Sequence, residues 1–137
     1  MSPFASQIDA WTKKTSERTL AVFRQSVQDL AQEVQTPQSM GGNMPVDTGF
    51  LRNSMGAAVN SYPRGTAAGG VAAAAFDMQP IVAAIMQANL GDRIVLGWTA
   101  EYAPYMEARY GFVRLAAQNW QQIVRQAVTK VRRDYGD

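Results

Sequence analysis

The longest regular pattern in the chain is helical and occupies residues 4–35. Phe4, Ile8, Trp11, Thr15, Thr19, Phe23, Val27, Leu30 and Val34 recur at spacings of three and four, so one helix face collects them. Pro3 suits a first helical turn and Ser2 can cap it. Lys13, Glu17, Arg24 and Asp29 fall elsewhere on the wheel, and Thr36-Pro37 followed by Gly41-Gly42 stops the pattern. At about 1.5 Å per residue such a helix exceeds roughly 40 Å. A chain of 137 residues makes one domain of ordinary size. One small domain cannot cover a helix of that length from end to end. Part of the apolar stripe is therefore expected to pack on something outside the domain, such as a second copy. Thr15 and Thr19 interrupt the stripe, which argues against a sustained heptad coiled coil.

After this helix the chain turns a corner whose residues are suited to backbone geometry more than to chemistry. The stretch reads Met44, Pro45, Val46, Asp47, Thr48, Gly49, Phe50, Leu51, Arg52, Asn53, Ser54. Pro45 fixes its own φ and biases Met44 to an extended conformation. Asp47 is placed to cap the N–H groups that follow it, and Gly49 permits a left-handed step. Arg52 is expected to fold back onto Asp47 as an ion pair. An ordinary helix-to-strand corner accounts for the same residues.

The remaining chain is shorter in its periods. Met55 to Tyr62 reads as a strand, Pro63-Arg64-Gly65 as a turn, and the Gly- and Ala-rich 66–75 as a loop, a second strand or the lead-in to a helix. A helix is expected over 77–90, capped by Asp77, with Ile81, Ile85 and Met86 on its apolar face and Gly91 just past its end. In a strand over 93–99, Ile94, Leu96 and Trp98 point one way, and Gly97 leaves room for a close approach from the other. A short helix near Glu101 ends at Gly111. A final helix over 112–135 then buries Val113, Ala116, Trp120, Ile123, Ala127 and Val131. The fold class is α+β: a small, mainly antiparallel sheet flanked by a long N-terminal helix, a middle helix and a long C-terminal helix. The single domain, 1–137, divides into the helix 4–35, a loop 36–45 and an α+β body 46–137.

Composition narrows the function. The chain contains no His and no Cys, so the usual acid–base residue, the commonest zinc ligands and any disulfide are missing. Glu101 and Glu107 fall on different faces of a helix, Ser54 and Ser61 lack a nucleophile-elbow context, and no dense acidic loop offers a cation site. An enzyme is not expected, nor a cofactor or metal. No apolar run approaches the roughly 20 residues that span a bilayer, and the N-terminus does not read as an export signal, so no membrane association is expected. The net charge of +2 is uneven: from Arg109 onward six basic residues stand against two acidic. Arg114, Arg125, Lys130, Arg132 and Arg133 form a face open to two readings, a solvated helix surface or a sequence-independent contact to phosphates. The second makes a small DNA-binding accessory protein an alternative.

Two segments together carry a resemblance. Val46-Asp47-Thr48-Gly49-Phe50-Leu51-Arg52-Asn53-Ser54 resembles the V-D-T-G-x-L-R-x-S motif of the tail-completion proteins of long-tailed bacteriophages, also called neck, head–tail joining or minor tail proteins. The second half of the family pattern, a strand, an aromatic Y-A-x-Y-x-E segment and a terminal helix, is similar to Ile94–Trp98, then Glu101-Tyr102-Ala103-Pro104-Tyr105-Met106-Glu107, then the helix opened by Phe112. The loop after Glu107 is shorter than in many members. The resemblance covers about residues 4–133. It implies a structural virion protein located in the phage neck and assembled in the bacterial cytoplasm. It also implies a ring, usually of six copies, that caps the tail tube and joins it to the head connector. The implied partners are further copies of the chain, the tail tube or tail terminator, the head-side connector or stopper protein, and genome DNA passing through the lumen. A tail-assembly factor absent from the finished particle is an alternative. The implied motif and interface residues are Asp47, Thr48, Gly49, Leu51, Arg52, Ser54, Tyr102, Tyr105 and Glu107.

Overall fold

Helix α1 runs from Pro3 to Val34, 32 residues, with the Ser2 hydroxyl accepting from the Ala5 N–H at 3.2 Å. The computed structural model describes residues 2–63 and 76–135; the expectation for 66–75 lies outside the described residues. Along the chain α1 is followed by α2 (Phe50–Asn53), β1 (Met55–Val59), α3 (Gln79–Met86), β2 (Ile94–Trp98), α4 (Ala103–Tyr110), α5 (Phe112–Ala117) and α6 (Trp120–Tyr135). The strands pair antiparallel, with Met55 opposite Trp98 and Val59 opposite Ile94. The fold is α+β, a small two-stranded antiparallel sheet among long flanking helices. Among the described residues no helix is long and apolar enough to cross a membrane.

The second half of α1 is the spine. Its neighbours are α3, α5 and α6, and both core clusters grow on it. Val27 and Ala31 join Met55, Ile81 and Ile85, with Ile94, Leu96 and Trp98 of β2 packed against them on the side their alternation predicts. One turn further on, Val34 joins Met44, Leu51, Ala100, Ala103, Phe112 and Ala116. On α6, Ile123, Ala127 and Val131 are buried. Polar clamps fix the helices around these clusters. Arg24 donates through Nε and Nη2 to the Ala88 carbonyl just past α3, at 3.0 and 2.8 Å, satisfying an acceptor that α3 leaves open. Asp29 meets Lys130 of α6 at 3.0 Å. The first three turns of α1 stand clear of the clusters: Phe4, Ile8 and Trp11 are 71, 46 and 68% exposed, and α1 meets α6 from Thr15 and Arg18 on, beside Val128 and Val131.

Several boundaries differ from the sequence expectation. Helix α3 stops at Met86, so Gly91, at φ +93°, belongs to the following turn and not to the helix end. The Asp77 carboxylate does accept from the Gln79 N–H at 3.0 Å. The expected single terminal helix is two, broken at Gln118–Asn119, where the Asn119 side chain turns to Glu33 at 3.0 Å. The break rephases the stripe, and Trp120, expected inside, is 38% exposed. Gly97 has the close neighbour its lack of a side chain predicts: Pro63 covers the register pair Gly56–Gly97, and a Cβ at Gly97 would stand 3.1 Å from Pro63 Cγ.

The far end of the strand pair is fastened by an amide–carboxylate clasp. Asn60, at φ +59°, donates from Nδ2 to Asp92 at 3.0 Å and accepts the Arg93 N–H at 2.9 Å. Asp92 also accepts the Asn89 N–H at 2.8 Å. The Asn89 N–H first, and then the Asn60 amide, hold the Asp92 carboxyl below the usual carboxylate range. A carboxyl with a depressed folded value stabilises above its unfolded pKa of about 3.9, and that contribution is lost as pH falls through the folded value. Asp92→Asn is expected to lower the melting temperature at pH 7. The gap from wild type should shrink in melts taken at progressively lower pH below about 4.

Candidate functional site

The corner between α1 and β1 is built around one buried amide. Gln35, 2% exposed, ends α1 and reaches three elements. Its Nε2 donates to the Arg52 carbonyl at 2.7 Å, and its Oε1 accepts the Trp98 indole N–H at 2.9 Å. Its own backbone carbonyl accepts Arg52 Nε at 2.8 Å. Helix termini leave carbonyls unpaired and carry partial negative charge, and a guanidinium satisfies both. Arg52 therefore does not fold back onto Asp47 as its spacing suggests. It caps α1, and its guanidinium lies 5.2 Å from the centroid of the Phe76 ring. Ion pairs among the described residues are Lys130–Asp29 and Arg133–Asp134, and Asp47 is exposed.

The other corner residues set the path of the chain. After Pro37, the Met44 N–H donates to the Thr36 carbonyl and the Gln38 N–H to the Met44 carbonyl, closing the loop and delivering Met44 fully buried into the core. Thr48, not Asp47, meets the start of α2, its hydroxyl accepting the Phe50 N–H at 3.3 Å. Gly49 takes φ +87°, a left-handed step, and α2 follows at once. Leu51 is buried. The Ser54 hydroxyl donates to the Leu51 carbonyl at 2.7 Å, and the Ser54 carbonyl accepts the Thr99 N–H at 3.1 Å beside the end of β2.

The aromatic segment comes to this same corner. The Tyr102 ring stands 6.1 Å from Phe50, and Trp98 packs edge-on against Phe112 at 5.3 Å. Ala100 and Ala103 share a cluster with Met44 and Leu51. Glu107 is a helix cap: its carboxylate accepts the N–H groups of Val113 at 3.0 Å and Arg114 at 3.2 Å, at the positive end of α5. Gly111, at φ +64°, is the single-residue joint between α4 and α5. Tyr105 is not part of the core; it is 63% exposed.

The basic residues do not form one surface. Lys130 is engaged with Asp29, Arg133 lies 4.0 Å from Asp134, and Arg114 belongs to α5, beyond the helix break. Arg125 and Arg132 are exposed on α6, away from its buried Ile123, Ala127 and Val131. A further feature is an apolar groove of about 400 Å³ between α1, β2 and α5, lined by Val27, Leu96 and Trp98 together with the exposed Ala117 and Trp120. Its lining residues are scattered from position 23 to 120, so periodicity within one element cannot reveal it.

No family model, curated protein or solved structure matches the chain.

Two substitutions test the corner. Gln35→Leu strands the Trp98 N–H and the Arg52 carbonyl, and is expected to cost about 2 kcal/mol in chemical denaturation. Gly42→Ala should be worse than Gly41→Ala. A Cβ at Gly42 would collide with the Thr36 backbone oxygen, whereas at Gly41 it meets nothing and only the left-handed φ of +89° resists it, at about 1–2 kcal/mol.

Proposed function

We propose that this chain is a structural subunit of the neck of a long-tailed bacteriophage, a ring component that caps the tail tube and joins it to the head-side connector. One observation carries the reading. The two segments that resemble the tail-completion signature, 46–54 and 101–107, lie far apart in sequence yet meet in one cluster, through Leu51 with Ala103 and Phe50 with Tyr102. A chance likeness of two short stretches gives no reason for them to meet. The exposed stripe Phe4, Ile8, Trp11 supports the same reading, because a ring subunit has neighbours to cover it. In this reading Asp47 and Tyr105, exposed beside the corner, face other subunits or neck proteins. Arg52, Ser54 and Glu107 hold the subunit's own shape. The ring works without a cofactor and without catalysis, in the virion.

The test is electron microscopy of particles assembled with and without this chain. Without it, filled heads and finished tails are expected to accumulate unjoined, and the chain is expected by mass spectrometry in purified wild-type virions. Normally joined virions in its absence sink the proposal. Unjoined parts with no chain in the virion point instead to a tail-assembly factor. For the DNA-binding alternative, Arg125→Ala with Arg132→Ala should leave joining unchanged if the basic face is only solvated.

A further inference from the structure

The middle of α1 carries a charge that the fold leaves unmet. Arg18 is half-buried, and its Nε and Nη2 atoms are shut off from solvent without a hydrogen-bond partner. Charged N–H groups withdrawn from water are costly until an acceptor meets them. The ion pairs among the described residues are Lys130–Asp29 and Arg133–Asp134, and neither takes up Arg18. On the same helix Arg24 shows the same two atoms in use, both donating to the Ala88 carbonyl. Arg18 lines a pocket of about 400 Å³ between α1 and α6, with Thr15 and Val22 on the α1 side and Val128, Val131 and Arg132 on the α6 side. No acidic side chain is among the pocket's described lining residues. Glu17 and Asp134, the acids on the adjoining turns, line a different pocket. Two guanidinium groups from facing helices thus share one pocket, and their repulsion grows as water is excluded.

We propose that this pocket binds a dianionic phosphate, either inorganic phosphate or the terminal phosphate of a monoester, held by Arg18 from α1 and Arg132 from α6. The charges match: two guanidinium groups stand against about −1.5 to −2 on the phosphate at neutral pH. The shapes match as well. Nε–H and Nη2–H of one guanidinium form a fork that grips two oxygens of a single ligand. A carboxylate has no oxygen left after one such fork, whereas a phosphate has others for Arg132 and for the Thr15 hydroxyl in the same lining. A diester fits less well, with a single charge and two of its oxygens carrying carbon. The Arg18 fork is covered in the structure, so binding turns the side chain into the pocket. The bound ion ties α1 to α6 at a point nearer the exposed first turns than the Asp29–Lys130 pair. The proposal is independent of the neck reading.

Calorimetric titration of the full-length chain with inorganic phosphate, at an ionic strength held constant with chloride, tests the site. The expected result is saturable binding of one ion per chain, weakened roughly tenfold or more by Arg18→Gln and by Arg132→Gln. Phenyl phosphate, a monoester, should bind like inorganic phosphate, and dimethyl phosphate, a diester, more weakly than either. Thermal melting separates a ligand site from a structural role. In chloride alone, Arg18→Gln should melt at or above wild type, because the substitution removes an unmet charge. Added phosphate should raise the melting temperature of wild type by more than that of Arg18→Gln, which keeps only the general effect of the salt. Absence of saturable binding overturns the proposal, and so does binding that both substitutions leave unchanged, the mark of an adventitious ion only. Dimethyl phosphate binding as tightly as phenyl phosphate overturns the assignment to a dianion. A chain destabilised by Arg18→Gln in chloride also overturns it, since Arg18 would then already have its partner within the fold.

Discussion

The side chain of Gln35 uses its amide across three elements, and the shape of the subunit follows from that. It sits where α1 stops, 2% exposed, with a donor on the Arg52 carbonyl and an acceptor on the Trp98 indole. In so dry a place an unmet polar atom is costly and a met one is directional. The end of α1, helix α2 and the end of β2 are therefore held in one relative placement. Arg52 closes the arrangement from the other side by bonding the Gln35 carbonyl. Hydrophobic burial alone would tolerate small rotations of α1 over the sheet. These bonds and the Arg24 and Asp29 clamps do not.

Much of this was legible from the residues. The extent of α1, the cap at Ser2, the pairing of the strands' apolar faces and the space at Gly97 follow from local rules with one dominant cause each. The corner was legible as a place but not as a mechanism. Asp47 and Arg52, five residues apart with opposite charge, suggested each other, yet Arg52 goes to a backbone carbonyl 17 residues back. A carbonyl looks the same at every position in a sequence, so such partners leave no trace in it. The break at Gln118–Asn119 escaped notice for a related reason. No Gly or Pro marks it, and it coincides with a tertiary bond from Asn119 to Glu33. Gln35 itself looked like one more polar residue at a helix end.

The division of α1 into a gripped half and a free half gives the molecule its asymmetry. All the buried residues of α1 lie between Ser26 and Val34. The free half is helical and largely exposed, meeting α6 from Thr15 on. A lone helix of that length is marginal in water, so its continuity with the anchored half, the Ser2 cap and Pro3 in the first turn all favour its persistence. An exposed apolar stripe on such a segment is unfavourable in an isolated subunit, and burial against a neighbour removes the cost.

Rigidity at the corner and exposure at the tip are one design problem. The groove is lined by α1 residues such as Phe23, Val27 and Leu30 and by Trp98, and Trp98 is the residue Gln35 holds. The amide that fixes the end of α1 thus also fixes the wall of the recess. The free end of α1 and the recess share one reference frame, so a distortion at Gln35 shifts the groove against the exposed Phe4, Ile8 and Trp11.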